Sequence, residues 1–216
     1  MTAASNSALP LVPLLSAFYF GSVEHYRLLA RHPRIIFDTG EHYVRQSHRT
    51  RTRIVGPNGP QDISVQILHD HGNKMPMREV RLSYAETWPQ QQLHAIRSAY
   101  GNAPWFIHYI DEIEAVLLER HDRLIDLNLA TLRLGMRWLG LNTGFEVLDR
   151  FVESPSSEHL DLRTALHPKK PLPPVLKAGP PYAQVFGLRH GFVPSCSIID
   201  LVMNLGPEAQ IWLRGS

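Results

Sequence analysis

The chain has 216 residues, 44% of them hydrophobic and 19% charged, and carries a formal net charge of +2. At about 100–200 residues per domain this is one unit with enough apolar material for a core, read as a single domain over 1–216. A lone cysteine, Cys196, excludes a disulfide scaffold and a cysteine-ligated structural zinc site, and the small net charge excludes a general polyanion coat. A cytoplasmic protein without a membrane-spanning segment is expected.

The apolar stretch 9–20 (LPLVPLLSAFYF) does not read as a signal peptide. No Lys or Arg precedes it, Pro10 and Pro13 interrupt it, and it is shorter than the ~20 residues of a spanning helix. It reads as a strand and loop entering a helix over about 16–31. The run 34–38 (RIIFD) predicts a buried strand. The cluster Gly56-Pro57-Asn58-Gly59-Pro60 separates two alternating runs, 49–55 and 62–68. That pattern predicts a β-hairpin whose loop is longer than a tight Asn-Gly turn. Residues 78–82 (REVRL) suggest a further strand.

From Trp88 the period turns helical. Pro89 suits a first turn, and Leu93, Ile96 and Tyr100 share a face. A second helix starts at Pro104, with Phe106, Tyr109, Ile110, Ile113, Val116 and Leu117 on its stripe. A third runs over about 124–141. It carries two stripes, Leu124/Leu127/Leu134/Trp138 and Ile125/Leu129/Leu132/Met136, so it should be buried on much of its circumference. Gly140 suits its end. Seven of 17 prolines fall within 155–181. The segment 142–181 therefore reads as an extended connection. Ser195 or Ser197 can cap a last helix with Ile198, Leu201, Val202 and Leu205 inward, stopped at Gly206-Pro207. The fold class is α/β: a β-rich N-terminal half, a helical middle, a Pro-rich crossover and a C-terminal helix, with strand order open.

Of 22 basic residues, 18 are Arg and 4 are Lys. The densest cluster is Arg45, Arg49, Arg51 and Arg53. If 49–53 is a strand, Arg49, Arg51 and Arg53 share one face. Their guanidinium forks could hold an anionic ligand, or could pair across the sheet with Asp62, Asp70 and Glu79. His167-Pro168-Lys169-Lys170 reads either as a charged lid or as a solubilising loop.

The standard catalytic motifs are missing. There is no phosphate loop, dinucleotide fingerprint or G-x-S-x-G elbow, and no cofactor is expected. His69-Asp70-His71 has no third ligand nominated by spacing, and His42, His48 and His94 stand no better, so no metal site is assigned. Cys196 is either a thiol activated by a helix N-terminus or a buried one. Asp200 is either a first-turn acid favoured by the helix dipole or a general base.

Many short blocks in one order carry a family resemblance. They include Ala17-Phe18-Tyr19-Phe20, Glu41 through Arg51, Gly56 through Pro60, Lys74 through Arg81, Pro104-Trp105-Phe106 and Asn128. His167 through Lys170, Tyr182 through Phe186, Gly191 through Ser195, Ser197 through Leu201 and Asn204 through Glu208 follow. Over about 9–213 the chain resembles the WbqC-like family, in the form common in Bacteroidetes. The resemblance implies a place in bacterial surface-glycan (O-antigen-like) synthesis and an acyl or aminoacyl, glycine-type transferase acting on a sugar or nucleotide sugar. Relatives read Tyr-Arg-Asn-Arg where this chain has His48-Arg49-Thr50-Arg51, so Arg49 and Arg51 carry over. Their His-x-His-Trp after the tryptophan is here Pro89-Gln90-Gln91-Gln92-Leu93, which leaves His94 as a substitute.

On this reading Asp200 and His94 are the catalytic candidates. Arg49, Arg51, Glu41, Tyr43, Gln46, Lys169, His167 and Gln184 are the ligand-binding ones. The expected partner is a small anionic molecule such as a nucleotide sugar, with other glycan-assembly enzymes possible. A non-catalytic binding or scaffold protein is the alternative. Nucleic-acid binding is disfavoured by the low net charge and by the lack of a basic-aromatic motif.

Overall fold

The structure, a computed structural model, describes residues 11–68, 75–173, 176 and 178–215. The first strand, β1 (Val12–Leu15), is followed by α1 (Val23–Arg31) and β2 (Arg34–Asp38). Strands β5 (Gly144–Leu148) and β6 (His159–Asp161) complete a four-stranded sheet of order β5-β2-β1-β6. All three pairings are parallel. Pro13 fits inside this sheet because Val12 donates to Glu158 O on the β6 side and pairing with β2 starts only at Leu14. The amide that Pro13 lacks would point at the side not yet paired. The α/β class is thus observed.

Both outer strands come from the segment read as connection. Strand β5 is half-exposed along its length and β6 has three residues, so neither shows a buried-strand pattern. The expected helix over 16–31 begins only at residue 23. Residues 16–22 instead form a buried strap whose backbone is satisfied by side chains. Asn128 Nδ2 donates to Ala17 O at 3.0 Å, Thr52 Oγ1 to Phe20 O at 2.7 Å, and Phe20 N to Thr131 Oγ1 at 3.2 Å. A buried loop is tolerable only with such partners.

Strands β3 (Arg51–Gly56) and β4 (Gly59–Ser64) form the hairpin. Gly56 pairs with Gly59, so the connection has two residues and is tighter than expected. Gly59 takes φ +105°, which a side chain would resist. The strand expected at 78–82 is a 3₁₀ turn, Met77–Glu79, followed by single bridges. Met77 and Val80, three apart, are both buried, a spacing that a helical turn serves and a strand does not.

Helices α2 (Trp88–Tyr100), α3 (Phe106–Leu118) and α4 (Leu124–Trp138) follow. The two stripes of α4 face two cores. Ile125, Leu129, Leu132 and Met136 join the core against the parallel sheet, with α1. Leu124, Leu127 and Leu134 join the core beneath the hairpin, with α2 and α3. Gly135 is small because Tyr26 lies on it; a Cβ there would sit 2.2 Å from the Tyr26 hydroxyl. Gly140, at φ +56°, closes α4 with Leu141 N on Met136 O. After α5 (Gly187–His190), α6 (Ile198–Leu205) is capped by Ser197, whose hydroxyl accepts from Ile199 N. A further helix, α7 (Glu208–Gly215), starts just after Pro207 and buries Ala209 and Leu213. The same proline that stops α6 is well placed before the first turn of α7. No helix among the described residues is long and apolar enough to cross a membrane.

Candidate functional site

The period-2 alternation of β3 turns Thr52 and Ile54 inward and leaves Arg51 and Arg53 half-exposed on the opposite face. That face forms one wall of a pocket of about 210 Å³. His48, just before β3, and Asp62 of β4 extend the wall. Ser22 and Glu24 at the start of α1, and Pro194 and Ser195 ahead of α6, also line the pocket. Residues 166–168 and 170–172 of the Pro-rich segment complete the lining.

Asp62 lies opposite Arg53 in register and serves both arginines. Its Oδ1 is 3.0 Å from Arg53 Nε and its Oδ2 is 3.7 Å from Arg51 Nη1. One carboxylate thus answers two guanidiniums, and Lys170 adds a third cation. Arg51 Nε is buried without a hydrogen-bond partner among the described residues. Burial lowers the His48 pKa to about 4, and the neighbouring His167, Arg53 and Arg49 add to the drop. His167 is lowered too, first by burial, then by Lys170, Arg49, Lys169 and Arg51. Both imidazoles are therefore uncharged at neutral pH and able to accept a proton.

Arg49 has a different fate. The strand starts at Arg51 and not at Arg49, so the shared face expected of Arg49, Arg51 and Arg53 holds only for the last two. It is 3% exposed. Its Nε and Nη2 bind the two Glu41 oxygens at 2.9 and 2.7 Å, and Nη2 also donates to Ser16 Oγ at 2.6 Å. Glu41 and Arg49, both nominated for ligand, are thus fastened to each other behind the pocket. A second buried pair stands beside them, Arg163 Nη1 to Asp38 Oδ2 at 2.6 Å.

The other nominated residues divide. His167 lines the pocket, and Lys169 flanks it by donating from Nζ to the exposed Gln46 amide oxygen. Tyr43 is half-buried, its hydroxyl 3.4 Å from Thr50 Oγ1. Gln184 and Asp200 meet in a separate buried cluster, where Asp200 accepts from Tyr100 Oη at 2.8 Å, Tyr182 Oη at 2.6 Å and Gln184 Nε2 at 2.8 Å. Burial raises the Asp200 pKa despite those three donors. This cluster ties the returning segment to α6 and does not line the pocket. His94 is exposed on α2, also away from the pocket. Cys196 is buried and its thiol pKa is raised by burial, then by Asp200, which excludes the activated-thiol alternative. Asp62 pairs as the sequence allowed, whereas Glu79 pairs with its neighbour Arg78. Asp70, His69 and His71 lie outside the described residues.

Sequence reasoning did not single out Ser22 or Glu24. An acid in the first turn of a helix is common enough on dipole grounds to carry no signal. Ser195 was legible only as a cap.

The fold and pocket define an α/β protein with a small cleft, lined by three cations and two carboxylates, between a hairpin and the strap-helix junction. The model of the WbqC-like protein family matches residues 18–170, more than half of the chain, and the chain belongs to that family. No curated protein and no solved structure matches it. The match includes β3, β4, α1 and His167 but stops before Tyr182, Gln184, Ser195 and Asp200.

Proposed function

We propose that the pocket holds the anionic group of a nucleotide sugar or comparable activated sugar, and that the chain is an acyl or aminoacyl, glycine-type transferase of cytoplasmic surface-polysaccharide synthesis. The observation that carries the binding half is the convergence of Arg51, Arg53 and Lys170 on one cleft, with Asp62 answering both guanidiniums. Guanidinium forks favour phosphate and carboxylate oxygens. A 210 Å³ cleft is smaller than the roughly 300–1,000 Å³ of sites that engulf a drug-sized ligand, so it suits a charged end group of a longer molecule.

Family membership and two uncharged imidazoles in the cleft support the transfer half. Acyl transfer to an amine or hydroxyl needs a base for the proton that the nucleophile loses. His167 takes that role in this reading, because a pKa held at about 4 makes His48 the weaker base. Asp200 is enclosed by three donors and acts through the segment it anchors.

The test is a thermal-shift screen against nucleotide sugars. A stabilising shift that Arg51→Ala and Lys170→Ala each abolish supports the binding half; no shift across the panel overturns it. Acyl transfer by the purified protein, lost in His167→Ala, supports the transfer half. Binding without turnover leaves the non-catalytic reading, favoured by the exposed position of His94 and the enclosure of Asp200.

A further inference from the structure

The lining of the pocket also carries a carboxylate besides Asp62. Glu24, in the first turn of α1, lines the pocket and is 2% exposed. Its Oε1 accepts from Ser195 Oγ at 2.9 Å. Its Oε2 is buried and has no hydrogen-bond partner among the described residues. Arg27, one turn further along α1, is close enough to feel this charge. A buried carboxylate oxygen left without a donor is costly, and native structures seldom keep one.

Ser195 adds a second observation. It holds φ +55°, a left-handed conformation that a residue with a Cβ rarely adopts. Backbone held in such a state collects at binding and catalytic sites. Here it accompanies the placement of the hydroxyl that fixes Glu24, and both residues border the same cleft.

We infer that the Glu24–Ser195 pair is the donor-recognising end of the pocket, so that its ligand carries a hydrogen-bond donor, an ammonium or a hydroxyl, near the phosphate or carboxylate held by Arg51, Arg53 and Lys170. The ligand is dipolar: oxygens at one end and N–H or O–H at the other, as in a sugar phosphate or an amino-sugar phosphate. Inorganic phosphate would satisfy only the cationic wall. This inference rests on the proposed anionic-group site and deepens it. A rival account of Oε2 exists in the structure. Glu24 also borders a cavity of about 10 Å³ beside Trp212, whose Nε1 is likewise buried without a partner. That space is one water in size, and a water there would serve Oε2 from behind.

Titration calorimetry of the full chain with inorganic phosphate, glucose 6-phosphate and glucosamine 6-phosphate separates these accounts. At least one sugar phosphate is expected to bind about tenfold or more tightly than inorganic phosphate, the size of a charge-assisted hydrogen bond. Superiority of glucosamine 6-phosphate identifies the ammonium as the donor, and parity between the two sugars identifies the hydroxyl. Glu24→Gln is expected to erase the preference, with inorganic phosphate bound at least as tightly as before because a negative charge has left the cleft. Ser195→Gly, which suits the backbone at φ +55° and releases the carboxylate, should weaken the preference and serves if Glu24→Gln does not fold. A preference that survives in the folded variants, or phosphate binding as tightly as both sugars, overturns the inference while the anion site stands. Failure of all three probes to bind overturns both.

Discussion

Arg49 and Arg51 stand two positions apart and occupy opposite physical situations. Arg49 is sealed among Glu41, Ser16 and Phe18, with its ion pair nearly free of solvent. Arg51 sits at the edge of a cleft, shares one carboxylate with Arg53 and keeps a donor without a partner among the described residues. In the first region charge organises the fold; in the second it faces an open cleft. The difference comes from where β3 begins. Before Arg51 the chain runs under the strap, and from Arg51 the strand alternation brings every second side chain to the open face.

The largest effect expected on this contrast is at the sealed pair. Arg49→Ala leaves the Glu41 carboxylate buried and unpaired and should cost about 3–5 kcal/mol in urea unfolding. A loss below about 1 kcal/mol would remove the distinction between the two arginines. Asn128→Ala is next. It strips donors from Ala17 O and Arg49 O, both held at 3.0 Å, and should destabilise by about 1–3 kcal/mol.

A pH effect of up to about 1.4 kcal/mol per pH unit for each histidine follows from His25 and His48, whose pKa values burial lowers to about 3 and about 4. Below pH 6.5 the unfolded chain binds protons that the folded one refuses, so stability falls as pH drops from 6.5 toward 4. Urea midpoints at pH 7 and pH 5 measure this, and His25→Leu should flatten the slope. A slope unchanged by that substitution would place the titrating groups elsewhere. The smallest change in stability belongs to the open region. Arg53→Ala, at a partly exposed pair, should alter unfolding by no more than about 0.5 kcal/mol, yet weaken the nucleotide-sugar thermal shift. Equal losses in Arg49→Ala and Arg53→Ala would erase the comparison.

Local signals were legible where one face of one element decided the matter. The double stripe of α4 announced a helix buried on much of its circumference, which the structure resolves into two cores, and Gly140 and Ser197 marked helix ends. Strands β5 and β6 were not legible, because short edge strands owe their pairing to a neighbour formed more than a hundred residues earlier. Of the pocket, the arginines, His167 and the charged Pro-rich segment were visible as residue types. Glu24 was not, since its meaning depends on Ser195, 171 residues away.

The order of amino acids alone determined the α/β class, the hairpin, the three middle helices and the concentration of guanidinium groups, because periodicity and turn chemistry act over a few neighbours. Tertiary structure decided which guanidinium is sealed and which is open, and which carboxylate answers each. Burial and pairing are properties of the folded interior, and a charged side chain has the same local signature whether it is neutralised in a core or exposed at the edge of a cleft.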